Sequence, residues 1–169
     1  MSVRTAILAV ILSAGLLSAD EKKADWVTYS SADHKCEIMF PSKPKEMGDK
    51  DSAQALLEAM GGNAVYLLQI NKFPGAIAID NEAVVNKVMD GGRDALVKTF
   101  KSEKPTEKSL TIDKKYPARD IDLIVPALGI YRVRFVVTPT HFYQVTMAGP
   151  KEFVDSADSK KFLESFKVK

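Results

Sequence analysis

The stretch DIDLIVPALGIYRVRFVVTPTHFYQVTM, Asp120–Met147, reads as three β-strands separated by two turns. Ile121, Leu123 and Val125 alternate with Asp120, Asp122 and Ile124. Tyr131, Val133, Phe135 and Val137 then alternate with Arg132, Arg134 and Val136, and Tyr143, Val145 and Met147 with Phe142, Gln144 and Thr146. A period of two is the signature of a strand with one buried face. Pro126-Ala127-Leu128-Gly129 and Thr138-Pro139-Thr140 supply the turns. A register that keeps the apolar faces together sets Asp122 opposite Arg134 and Phe135 opposite Tyr143, giving an antiparallel meander with one apolar face.

On this reading Asp120, Asp122, Arg132, Arg134, Gln144 and Thr146 project from the face opposite the Tyr131/Phe135/Tyr143 core. They form the candidate recognition face, in which planar guanidinium groups grip a carboxylate or phosphate on a partner. The plainer alternative is a solvated or helix-covered face whose cross-strand ion pairs contribute a few tenths of a kcal/mol each. Ile124, Val136 and Phe142 lie among these polar groups, which predicts partial covering by a helix or a partner.

Upstream, Trp26–Ser31 and Lys35–Phe40 read as two strands joined by Ala32-Asp33-His34, with Cys36, Ile38 and Phe40 turned inward. Pro41 and Pro44 end the pairing, because proline donates no ladder hydrogen bond. Gly48–Asp51 is a turn, and Gly61-Gly62-Asn63 is a hairpin turn between a strand over Ser52–Met60 and one over Ala64–Asn71. Asp80 is placed to cap a helix starting at Asn81, whose inner face is Val85, Val88, Met89, Leu96 and Phe100. Gly91-Gly92 weakens that helix by about 1 kcal/mol per glycine and marks a possible kink site. It runs out in the polar segment Lys101–Pro105. After Gly149-Pro150 a last helix, capped by Asp155 or Ser156, carries Phe162, Leu163 and Phe166 on one side. Antiparallel strands with a central and a C-terminal helix packed on them make an α+β layered sandwich.

The 169 residues carry 24 Lys+Arg against 22 Asp+Glu, a formal charge of +2, which leaves no basic stripe for nucleic acid. Arg4 precedes the uncharged run TAILAVILSAGLLSA, Thr5–Ala19, and charge begins abruptly at Asp20. A short basic start, an apolar core and small residues before a charged segment make residues 1–19 a signal peptide cleaved near Ala19. The run falls short of the ~20 residues of a membrane span, so the alternative of a retained anchor is the weaker one. Residues 20–169 are then one soluble domain, exported to the periplasm or beyond. With one cysteine no internal disulfide can form.

The opening WVTYSSADHKCEIMFPSKP, Trp26–Pro44, resembles the start of short exported bacterial proteins in which a strand ends in Phe-Pro and a second proline follows three residues on. Their last helix closes on a pattern like Phe162-Leu163-Glu164-Ser165-Phe166. Such proteins resemble the α/β/α sandwich fold of the photosystem II extrinsic subunit PsbP, the envelope protein DcrB and a Ran-binding nuclear import factor. In these families a glycine often stands in the first turn and a bulky aromatic opens the second strand; here those places hold His34 and Cys36. The resemblance implies a binding or accessory scaffold rather than a catalyst, and carries over no catalytic residue.

Chemistry-bearing motifs are sparse. His34 and Cys36 are the only close His/Cys pair, and zinc wants four ligands at wider spacing. No G-x-S-x-G, phosphate-cradling glycine loop or singled-out carboxylate pair occurs, and His141 sits at a tight turn where exposure is expected. These observations predict no catalytic residue, metal or cofactor, and favour an exported accessory protein whose partner is another envelope or secreted protein. A carrier of a small apolar ligand, with a cavity beneath the glycine-bearing helix, is the alternative; a hydrolase is the remote third.

Overall fold

The alternating run that begins at Cys36 forms a strand whose Cys36, Ile38 and Phe40 side chains are all buried. In the computed structural model, which describes residues 25–47, 53–61, 63–102, 105–126 and 128–169, this strand is β2 (Cys36–Phe40). It lies between β1 (Val27–Ser31) and a two-residue β10 (Lys167–Val168) in a small antiparallel sheet. The predicted signal peptide at residues 1–19, the turn Gly48–Asp51 and Gly62 fall outside the described residues.

A seven-stranded antiparallel sheet forms the middle layer. Its strands are β3 (Lys45–Met47), β4 (Gln54–Gly61), β5 (Ala64–Lys72), β6 (Thr106–Ile112), β7 (Tyr116–Val125), β8 (Gly129–Val137) and β9 (His141–Gly149), in the order β3-β4-β5-β9-β8-β7-β6. The hairpin expected before Ala64 is present as β4–β5. Helix α1 (Glu82–Phe100) covers one face of the sheet. The short α2 (Lys151–Val154), α3 (Ala157–Ser165) and the small sheet cover the other. The architecture is therefore the α+β sandwich expected, with an additional small sheet in one outer layer.

Two apolar clusters result. Val85, Met89 and Leu96 of α1 pack on Ile121, Leu123, Val133 and Phe135. Phe162, Leu163 and Phe166 pack with β2 and with Tyr66, Leu68, Tyr143 and Val145 on the reverse side. Cys36 is a small apolar member of this second cluster, and burial pushes its thiol up to about 12.

Several local expectations are corrected. Asn81, not Asp80, caps α1: its Oδ1 accepts from the Ala83 and Val84 amides at 3.1 and 3.3 Å. The helix does not break at Gly91-Gly92. A Cβ on Gly92 would stand 2.9 Å from the Phe135 ring and 3.2 Å from that of Phe142, so this glycine lets helix and sheet meet. Asp122 pairs with Arg132, and Asp120 with Arg134, because Val125 closes the turn against Gly129, whose φ of +95° suits glycine.

The larger correction concerns β9. Thr138 and His141 close a turn with only Pro139-Thr140 at its tip; the Thr138 amide donates to the His141 carbonyl and the His141 amide to Thr138 Oγ1, each at 2.9 Å. Phe135 therefore faces Gln144, and Tyr143 faces Val136. Slipping by one residue turns a strand over. Phe142, Gln144 and Thr146 lie under α1, while Tyr143, Val145 and Met147 face α3. His141, expected at an exposed turn, is buried because the β1–β2 turn lies over it.

Candidate functional site

The face carrying Arg132 and Arg134 is roofed by α2 and α3. Alternation along β7 and β8 lays two Asp–Arg pairs side by side. Arg132 grips Asp122 in a fork, Nε to Oδ1 at 2.8 Å and Nη2 to Oδ2 at 2.7 Å, and Arg134 grips Asp120 at 2.7 and 2.8 Å. Each guanidinium then reaches up to the roof. Arg132 Nη1 donates to the Val154 carbonyl at the end of α2, and Arg134 Nη1 to the Leu163 carbonyl in α3, both at 3.0 Å. Arg132 Nη2 also meets Asp155 at 3.2 Å.

Helix α3 is set above these pairs by its own sequence. Ser156 caps it by accepting from the Ser159 amide at 3.3 Å, and Phe162 and Leu163 sink into the core. Lys151 pairs with Asp155 one turn earlier and, as the leading cause, holds that carboxyl below its ordinary range, with Arg132 adding to the effect. Hydrogen bonding to Asp122 raises the Arg132 guanidinium further above its usual value.

Between roof and sheet runs a groove of about 440 Å³ with walls from β6, β7, β8, α2 and α3. Its cations, Lys108, Arg132, Arg134 and Lys160, stand among Asp120, Asp122, Asp155 and Glu164. Lys108 and Lys160 are exposed on opposite walls, and the Ser159 hydroxyl is buried at the groove without a hydrogen-bond partner. A second, shallow depression of about 820 Å³ surrounds the start of α1 from Ala78 to Asn86. It is a dish on the surface, whereas the groove is walled by two layers.

Of the predicted recognition residues, Asp122, Arg132 and Arg134 meet in this groove. Gln144 and Thr146 do not: they point to the α1 side and are 6% and 2% exposed. The arginines reach no partner freely either, since carboxylates and helix carbonyls occupy their donors. They clamp the roof to the sheet, and the groups open to an incoming molecule are Lys108, Lys160 and Thr106. These were not foreseen: β6 has little apolar alternation in Thr106–Ile112, and its β-branched Thr106, Thr111 and Ile112 were its only strand signal.

On the far side of the sheet a second polar network fixes α1. Arg119 Nη1 donates to Asp90 at 2.6 Å and Glu107 at 3.1 Å, and its Nη2 to Asn86 at 2.9 Å. Arg93 joins it through Asp90 and Glu107 at 3.0 and 3.2 Å. Beneath this helix, at Gly92, the Phe135 and Phe142 rings lie within 2.9 and 3.2 Å of a Cβ position, so helix and sheet are in close contact there. The His141 ring lies in the protein interior, with Nδ1 2.9 Å from the hydroxyl of its neighbour Thr140. Among the described residues no three His, Cys, Asp or Glu side chains converge on a cation position, and no helix is long and apolar enough to cross a membrane.

No family model and no curated protein matches the chain. Among solved structures, that of cyanobacterial PsbP (CyanoP) from Synechocystis sp. PCC 6803 is similar, with a TM-score of 0.57 at 12% sequence identity, over 91% of this chain and 99% of that one. At such identity the likeness is one of fold, and it extends over nearly the whole sandwich. The chain has a PsbP-like α+β fold.

Proposed function

We propose that this chain is an exported, non-enzymatic accessory protein of the cell envelope that binds another protein through the groove between its sheet and its last helices. The observation that carries this reading is the construction of the groove. Two forked Asp–Arg pairs fix the arginines on the floor, and each arginine's Nη1 bonds a carbonyl of the roof, so the site is formed before anything enters it. Its walls carry mixed charge and the exposed Thr106 hydroxyl, a surface suited to a polar polypeptide segment rather than to an apolar ligand. The leader-like residues 1–19 support export, and the PsbP-like sandwich supports a scaffold role by analogy of fold.

The test combines address and contact. Intact mass of the protein recovered from its host is expected to start at Asp20 in an envelope or secreted fraction; a cytosolic species beginning at Met1 overturns the export reading. A photo-crosslinking phenylalanine at Lys160, on the groove wall, is expected to capture one discrete protein from envelope material. The same group at Lys98, on α1, is expected to capture none. Equal capture at both positions, or none at Lys160, overturns the groove.

A further inference from the structure

A buried histidine that takes no part in the groove sits where the small sheet meets the large one. His141, which opens β9, is 1% exposed. Its Nδ1 lies 2.9 Å from Thr140 Oγ1, and its Nε2 is buried with no hydrogen-bond partner among the described residues. The ring stacks on Tyr143 with centroids 5.6 Å apart, and the Tyr143 hydroxyl donates to the His34 carbonyl at 2.8 Å. Imidazole and phenol thus form one stack that holds the β1–β2 turn onto a strand more than a hundred residues away.

The ionisable groups that bear on His141 are all basic: His34 and Lys35 from the β1–β2 turn, and Lys72 of β5, its partner in the ladder. Around Tyr143 stand the neutral Cys36 of β2 and Tyr116 of β7, with the Lys115 ammonium 5.0 Å over the Tyr116 ring. Burial first, and these basic groups after it, pull the imidazole below the ordinary histidine range. A proton arriving here would create a cation whose Nε2–H has no acceptor, in a dry site beside like charges.

We propose that His141 is an acid-sensitive latch for the β1–β2 hairpin: when its imidazole takes a proton, the stack with Tyr143 gives way and the hairpin comes off the large sheet. The closed state binds this proton less readily than the open one. Closure is therefore complete above about pH 6.5 and weakens as the pH falls below it, until the closed form too is protonated. A single proton changes the opening constant by at most about tenfold per pH unit.

The test uses the full chain between pH 7.5 and 5.5, above the range in which carboxylates titrate. With two histidines in the sequence, the ring resonances separate by NMR, and that of His141 is expected to titrate below the ordinary value. Amide exchange over Cys36–Phe40, corrected for its intrinsic pH dependence, is expected to accelerate on acidification by up to about tenfold per unit. Trp26, the sole tryptophan, packs at the start of β1 with its ring 6.4 Å from that of Tyr66 and the Lys161 ammonium 4.2 Å above it, and its emission should follow the same curve. His141→Gln should flatten the response and His34→Gln should leave it. Lys72→Glu, at an exposed position, should reduce it by giving the imidazolium a carboxylate. A flat profile in the native chain, a slope that survives His141→Gln, or one that vanishes with His34→Gln alone overturns the latch. Should His141→Gln fail to fold, Lys72→Glu decides: an unreduced slope refutes it.

Discussion

Adjacent glycines in α1 offer a controlled test of how closely helix and sheet meet. At Gly91 a Cβ enters open space, whereas at Gly92 it stands 2.9 and 3.0 Å from Phe135 ring atoms and 3.2 Å from Phe142. Both substitutions to alanine gain the same helix propensity, about 1 kcal/mol. Gly91→Ala should keep all of it. Gly92→Ala has to displace two rings that are themselves packed edge to face at 5.0 Å, and overpacking of this kind costs about 1–3 kcal/mol. The two variants should therefore differ by roughly 1–3 kcal/mol, with Gly91→Ala above the parent and Gly92→Ala at or below it. Urea unfolding followed by far-UV circular dichroism reads the difference as a shift in midpoint at constant slope. For a chain of this length it corresponds to roughly 2–4 °C in Tm per kcal/mol. Equal stabilisation by both alanines would refute the contact, and so would the reverse order.

Other perturbations follow from the same geometry. Arg134→Ala leaves Asp120 partly buried without its fork and frees the Leu163 carbonyl, and should cost about 2–3 kcal/mol, below the ~3–5 of a fully buried pair because Asp120 is 26% exposed. A double-mutant cycle with Asp120→Asn should return a coupling of about 1–2 kcal/mol; additivity would refute the clamp. Cys36 should resist a thiol reagent at pH 8 in the folded protein and react fully in urea, since burial holds its thiol near 12; reaction at an ordinary rate without denaturant would contradict the packing of β2. Tyr143→Phe removes the hydroxyl bond to His34 and should cost about 1 kcal/mol, with faster amide exchange confined to β1 and β2. Exchange that rises equally in α1 would mean the bond does not act locally.

What could be read from the chain depended on whether a residue's surroundings lay nearby in sequence. Cys36, Ile38 and Phe40 alternate with half-buried neighbours, one of them charged, so their inward direction was plain, as was that of Phe162 and Leu163 on α3. β9 was deceptive because it is central and covered on both faces: all of its residues are buried, and Gln144 and Thr146 look polar without being outside. The expected register rested on a longer turn than Thr138–His141 forms, and one residue of error sent Gln144 and Thr146 to the wrong side. β3, β6 and β10 escaped notice for the opposite reason, as edge strands with too little apolar surface to show a period. The groove is a product of tertiary distance. Arg134 and Leu163 are 29 residues apart, and nothing local to either announces that one will hold the other's carbonyl.

The order in which the layers occur along the chain has a bearing on how it reaches its final form. The strands of the large sheet are all complete by Gly149, yet α2, α3 and β10, which shield one side of that sheet, follow them, and β10 pairs with Glu37 and Cys36 of β2 near the other end of the sandwich. During synthesis the chain therefore leaves the ribosome with that apolar side covered at most by the β1–β2 hairpin until its last helices emerge. On the proposed reading of an exported protein, that delay would keep the chain loose enough to be pulled across a membrane before its final helices close over the sheet.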